Sequence, residues 1–129
     1  MKKRLLIIED EDSVREIIQI SLESLAGWDI LTASSGSEGI KIAASEHPDA
    51  ILLDVMMPEI DGPTTFKQLQ ATAATCDIPT IMLTAKAQPS EQQQLRNLGV
   101  AGVITKPCLP QELVDDICKM LNWNPVIHL

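Results

Sequence analysis

Ala50-Ile51-Leu52-Leu53-Asp54-Val55-Met56-Met57-Pro58-Glu59-Ile60-Asp61-Gly62 is the stretch on which the fold turns. Its apolar opening lacks the alternation of a half-exposed strand, and suits a strand covered on both faces. The run stops at a carboxylate, and Pro58, Asp61 and Gly62 then mark a loop. Pro63 suits the first turn of a helix that carries Phe66, Leu69 and Ala73 on one side. The unit reads as strand, acidic loop, helix.

The same unit recurs along the chain. Apolar runs of strand length lie at 5–8, 30–33, 50–53, 80–83 and 100–104, with helical patterns between them. After the first run, Ser13 and Glu16 have capping-box spacing, and Val14, Ile17, Ile18, Leu22 and Leu25 trace one face until Gly27. Ser35 and Glu38 repeat that spacing, with Pro48 bounding the second helix. A fourth helix starts near Pro89-Ser90, carries Leu95 and Leu98 inward and stops at Gly99. Residues 88–94, with four glutamines, form a loop and an exposed helix start. Pro110 opens the last helix, with Leu113, Val114, Ile117, Met120 and Leu121 as its stripe. Strict alternation of strand and helix implies parallel strands joined by right-handed crossovers, a three-layer α/β domain.

Composition removes several functions. The 129 residues carry 18 Asp+Glu against 10 Lys+Arg, a formal charge of −8. That balance opposes direct nucleic-acid binding, which needs clustered cations to displace counterions. Trp28, Phe66 and Trp123 are the only aromatic residues, too few for base-stacking platforms. Lys2, Lys3 and Arg4 before residues 5–8 imitate a signal peptide, but Glu9-Asp10-Glu11-Asp12 ends the apolar run well short of the roughly 7–15 residues a signal needs. No run approaches the ~20 residues of a membrane span, so a cytoplasmic location without membrane contact is expected. Cys76, Cys108 and Cys118 have no C-x-x-C pairing and read as buried or partly buried thiols of a reducing compartment. His47 and His128 are assigned to loop or tail positions rather than to metal ligation.

Ligands of open parallel sheets sit beyond the carboxyl ends of the strands. Those positions hold Glu9, Asp10, Glu11 and Asp12 after the first run, Asp54 after the third, Thr84 after the fourth and Lys106 after the fifth. Crowded carboxylates beside one ammonium and one hydroxyl suit a hard divalent cation and a phosphoryl group together. An aspartate there has the chemistry of a nucleophile toward phosphorus.

Taken together, Glu9-Asp10-Glu11, Asp54-x-x-Met57-Pro58-x-x-Asp61-Gly62, Leu83-Thr84-Ala85 and Thr105-Lys106-Pro107 closely resemble the receiver domain of two-component response regulators, the CheY-like superfamily. The resemblance implies a single doubly wound, flavodoxin-like (βα)5 domain with a five-stranded parallel sheet in order 2-1-3-4-5. It implies that Asp54 accepts a phosphoryl group, that Thr84 bonds that group and Lys106 pairs with it, and that Asp10, Asp54, Glu9 and the backbone carbonyl of Met56 hold Mg²⁺. It also implies a cis Lys106-Pro107 bond. The implied donor is a sensor histidine kinase or phosphotransfer protein, and the readout is altered affinity for a downstream target protein. Such a domain catalyses only its own phosphorylation and slow dephosphorylation, so it is a signalling protein rather than an enzyme.

Glu11 and Asp12 read as helix-entry residues and Asp61-Gly62 as loop geometry. Three residues depart from the family pattern, the first being Glu9, where the family more often has Asp. Val103 stands where a Tyr or Phe usually lies three residues before the lysine, and Cys108 stands where Phe is common. The usual aromatic readout is therefore unavailable, while the Thr84 loop is still expected to close on a phosphoryl group. The weighed alternatives are a haloacid-dehalogenase-like phosphatase using Asp10, and a receiver-like partner-binding domain that is never phosphorylated. The domain is expected over residues 1–122. Residues 123–129 are expected to form a tail with no output domain, packed back or joining a homodimer.

Overall fold

The computed structural model describes residues 2–124. Ten elements alternate: β1 (Arg4–Ile8), α1 (Asp12–Ala26), β2 (Asp29–Ala33), α2 (Gly36–Glu46), β3 (Ala50–Asp54), α3 (Gly62–Ala71), β4 (Thr80–Thr84), α4 (Pro89–Arg96), β5 (Gly102–Thr105) and α5 (Pro110–Leu121). The strands form one parallel sheet in the order β2-β1-β3-β4-β5, as the resemblance implies.

Successive strand residues point to opposite faces, so one apolar run feeds two cores. Leu5, Ile7, Leu52, Ile81, Leu83 and Ile104 pack beneath α1 and α5, against Ile18, Leu22, Leu113, Val114 and Ile117. Leu6, Ile8, Ile51, Leu53 and Met82 face the other way, against Ala43, Phe66, Leu69 and Ile78. Burial of each such aliphatic chain contributes about 1.5–3 kcal/mol, which makes the sheet a rigid base for the loops beyond it.

The helices depart locally from the sequence reading. α1 begins one residue after its cap Glu11, so Ser13 lies inside the first turn and its hydroxyl bonds Glu11 Oε1 at 3.4 Å rather than forming a capping box. Ile18, Leu22 and Ala26, four residues apart, form its buried line; Ile17 is rotated off it and is 62% exposed. In α2 the box does form: Ser35 Oγ accepts from Glu38 N at 3.1 Å, and Glu38 Oε1 accepts from Ser34 N at 3.1 Å. His47 caps the end of that helix with a left-handed backbone, a loop position as expected. α3 stops at Ala71, before Ala73, which is exposed in the following turn. The buried Thr75 hydroxyl donates to Leu69 O at 2.6 Å, satisfying a carbonyl at the helix end. α4 ends at Arg96, so Leu98 packs inward from the turn beyond it. β5 omits Val100 and Ala101 from the fifth run. Cys76 is exposed, contrary to expectation, because it sits in the α3–β4 turn; Cys108 is half-buried and Cys118 buried.

At the pole remote from the strand ends that carry Glu9 and Asp54, Trp123 packs edge-on against Trp28, centroids 5.1 Å apart. The Lys3 ammonium lies 5.1 Å from the Trp123 centroid. The start of the tail thus packs back; residues 125–129, His128 among them, lie outside the described residues.

The turn into α3 fixes the end of β3. Asp61 caps α3 by accepting from Thr64 N at 2.8 Å, and Gly62 N donates to Val55 O at 2.9 Å. A Cβ at Gly62 would lie 2.5 Å from Asp54 O and 2.8 Å from Val55 Cα. Gly62→Ala is therefore expected to lower stability by about 1–3 kcal/mol through overpacking. Asp61→Ala should cost about 1 kcal/mol and Asp61→Asn, which retains an acceptor, much less; urea midpoints measure both. The Thr64 backbone amide holds the Asp61 carboxyl below its ordinary 3.8. The charge-dependent part of this cap is thus present above that value and lost as pH falls through the lower folded value. The gap between wild type and Asp61→Ala should narrow in acid.

Candidate functional site

The sheet order reverses between β1 and β3, and the crevice beyond their carboxyl ends is where open α/β sheets place ligands. Ladder bonds carry the sheet one residue past its strands. Glu9 N donates to Ala33 O at 3.1 Å, Val55 N to Leu83 O at 3.0 Å and Lys106 N to Thr84 O at 2.7 Å. Glu9, the Asp54–Val55 junction and Lys106 are therefore held by backbone geometry, not by mobile loops.

Glu9, Asp54 and Thr84 are buried, a costly place for two carboxylates. Lys106 offsets that cost from the far side of the sheet. Its ammonium donates to Glu9 Oε1 at 2.9 Å and lies 2.7 Å from Asp54 Oδ1. Glu9 also accepts from Glu11 N at 3.3 Å. Burial pushes both the Glu9 and the Asp54 carboxyl above the usual range, against the pull of Lys106. For Lys106 the balance runs the other way. Burial works to lower it, but the bonds to Asp54 and Glu9 outweigh that, and the ammonium is held above its ordinary value.

Asp10, more exposed than its two neighbours, completes a cluster. Glu9, Asp10 and Asp54 each offer an oxygen within 4.8 Å of the others. Three carboxylates against one ammonium leave excess negative charge, and all donors are hard oxygens, a set that fits Mg²⁺ rather than a soft metal. Met56 lies just beyond Asp54 and is 62% exposed.

Thr84 ends β4 beside β5, in register with Thr105, and its hydroxyl accepts from Lys86 N at 3.0 Å. The Lys106-Pro107 bond is cis, as the resemblance implies. Glu11 caps α1 and Asp12 lies in its first turn, the helix-entry positions expected of them. Val103 is half-buried against the second core and Cys108 against the first.

Two polar side chains near the site escaped the sequence reading. Arg15 Nη1 donates to Glu9 O at 2.9 Å while Nη2 pairs with Asp12, pinning the β1–α1 turn. Gln92 reaches Thr105 Oγ1 at 2.6 Å. A lone Arg or Gln on a helix carries no sequence signal of such a contact.

A family model, the response regulator receiver domain, matches residues 5–118. Among curated proteins, the chain is 40% identical over 126 residues to the alkaline phosphatase synthesis transcriptional regulatory protein PhoP of Bacillus subtilis, covering 98% of this chain and 51% of that protein. It is 39% identical over 120 residues to the phosphate regulon transcriptional regulatory protein PhoB of Pseudomonas aeruginosa, covering 93% and 52%. The chain thus spans about half the length of the curated relatives it matches. Among solved structures, the chemotaxis protein CheY4 of Vibrio cholerae superposes with a TM-score of 0.86 at 27% identity, over 93% of this chain and 99% of that one. A response regulator from Desulfuromonas acetoxidans gives 0.84 at 27%, over 93% and 97%. The strand order, the acidic crevice and these matches agree, and the chain belongs to the response regulator receiver domain family.

Proposed function

We propose that Asp54 accepts a phosphoryl group from a sensor histidine kinase or phosphotransfer protein, and that the modified surface changes affinity for a downstream protein. The observation that carries this reading is the buried Asp54 carboxylate facing the Lys106 ammonium at 2.7 Å, at the switch point of the sheet. An Asp54 oxygen attacks phosphorus, the bond to the donor's leaving nitrogen breaks, and the carboxylate becomes an acyl phosphate. Lys106 exchanges its Asp54 oxygen for a phosphoryl oxygen, and Thr84 donates its hydroxyl proton to another. Glu9, Asp10, Asp54 and the Met56 carbonyl are the groups to hold Mg²⁺, which when bound neutralises charge on the phosphoryl oxygens. The chain's own catalysis is confined to gaining and losing this group, in the cytoplasm.

The relatives' names describe transcriptional regulators, which supports a signalling output in those proteins. For this chain the proposed output is protein binding, in keeping with its net charge of −8. No helix among the described residues is long and apolar enough to cross a membrane.

Incubation with acetyl phosphate and Mg²⁺ should add one phosphoryl mass, and chelation of the metal should abolish the gain. Asp54→Asn should gain nothing; a gain that persists in that variant overturns the proposal. Lys106→Met should slow phosphorylation roughly tenfold or more, since a charge-assisted hydrogen bond contributes about 1.5–3 kcal/mol. Mg²⁺ alone should raise Tm, because binding only the folded state adds about 2.7 kcal/mol at a hundred times Kd, and Asp10→Asn should blunt that rise. Without metal, Asp54→Asn should melt higher than wild type, since burial makes the Asp54 charge unfavourable for folding.

A further inference from the structure

α4 is weakly anchored for a helix beside the site. Leu95 is its one buried residue, and its cap, Gln88, makes no side-chain bond. What ties it to the sheet is Gln92. The side-chain amide nitrogen donates to Thr105 Oγ1 at 2.6 Å on β5 and to Lys86 O at 3.3 Å in the β4–α4 loop. The Lys86 carbonyl can only accept, so the NH₂ end of the amide must face this pair, and its two protons match the two acceptors. The Lys86 N–H in turn donates to Thr84 Oγ1 at 3.0 Å. A polar chain thus runs from Thr84 through the Lys86 backbone and Gln92 to Thr105, the residue before Lys106.

We propose that Gln92 is a positioning residue that carries phosphorylation of Asp54 to α4 and β5, in a chain whose position 103 is a valine. The inference rests on the proposed role of Thr84. A phosphoryl oxygen that draws the Thr84 hydroxyl toward Asp54 either pulls the Lys86 N–H with it or releases it. The Lys86 backbone shifts in both cases, and its carbonyl is one of the two groups holding Gln92. A cleft of about 290 Å³ lined by Thr84, Lys86, Glu91 and Leu95, among others, gives the loop room to move. The Val103 side chain, half-buried against the second core, has no polar atom to join this chain. Because α4 has few other restraints, the loss or rearrangement of two hydrogen bonds is a large share of what holds it.

Hydrogen–deuterium exchange on the full chain, with Mg²⁺ and with or without beryllofluoride as the phosphoryl mimic, tests this. In wild type the change should begin at residues 85–88 and extend through α4 and β5. In Gln92→Met, which keeps length but loses both donors, and in Thr105→Val, which removes one acceptor, the change at 85–88 should persist. The change in α4 and β5 should then shrink at least about twofold. Phosphoryl mass gain from acetyl phosphate should stay at the wild-type level in both variants. Full wild-type propagation in the two variants overturns the inference, as does a wild type that is phosphorylated yet changes only at 85–88. A wild type that gains no phosphoryl mass overturns the proposed function itself, and this inference with it.

Discussion

The Lys106 ammonium, held between Glu9 and Asp54, is the interaction on which the rest of the site depends. It ties the ends of β1, β3 and β5 together, three strands that do not all neighbour one another in the sheet. Removing the ammonium would leave two buried carboxylates without compensation, which is costly in a protein interior. The arrangement also sets the chemistry. An ammonium already aimed at the Asp54 carboxylate would also be aimed at the phosphoryl group proposed for it, so little reorganisation would be needed when charge arrives. The two cores beneath the sheet explain how a lysine 97 positions from Glu9 reaches it reliably: each strand is fixed on both faces before the loops begin.

Much of this was legible in the residues. Strands buried on both faces are continuous apolar runs, so their positions, the parallel α/β class and the acidic strand ends could be read directly. Glu9, Asp10, Asp54 and Lys106 were then found together in one crevice. What could not be read depends on three-dimensional context. Ser13 and Ser35 each stand three residues before a glutamate, yet only Ser35 caps its helix, because the β1–α1 turn starts α1 earlier, after Glu11. Ile17 looked like core by spacing alone, but Ile18, Leu22 and Ala26 occupy the face toward the sheet. Arg15 and Gln92 are ordinary helix-surface residues by sequence, and their partners lie on other elements or on backbone carbonyls that no pattern marks.

The absence of an aromatic ring at position 103 gains meaning beside the Gln92 contacts. A ring would report the state of the site through packing; a polar chain reports it through hydrogen bonds, which break or re-form over short displacements. The same small helix, α4, is the element either device would move, and its sparse burial suits that task. In the proposed function, phosphoryl acceptance and its readout are thus built on different parts of the fold: the first on the rigid sheet ends, the second on a lightly held helix.

The most direct measurement of the central claim is chemical trapping of the acceptor. After incubation with acetyl phosphate and Mg²⁺, borohydride reduction converts an acyl phosphate side chain of aspartate into homoserine, and peptide sequencing by mass spectrometry locates it. The account predicts homoserine at position 54. Homoserine at position 10, which would mark Asp10 as the nucleophile, or no converted aspartate in protein that has gained phosphoryl mass, would contradict it.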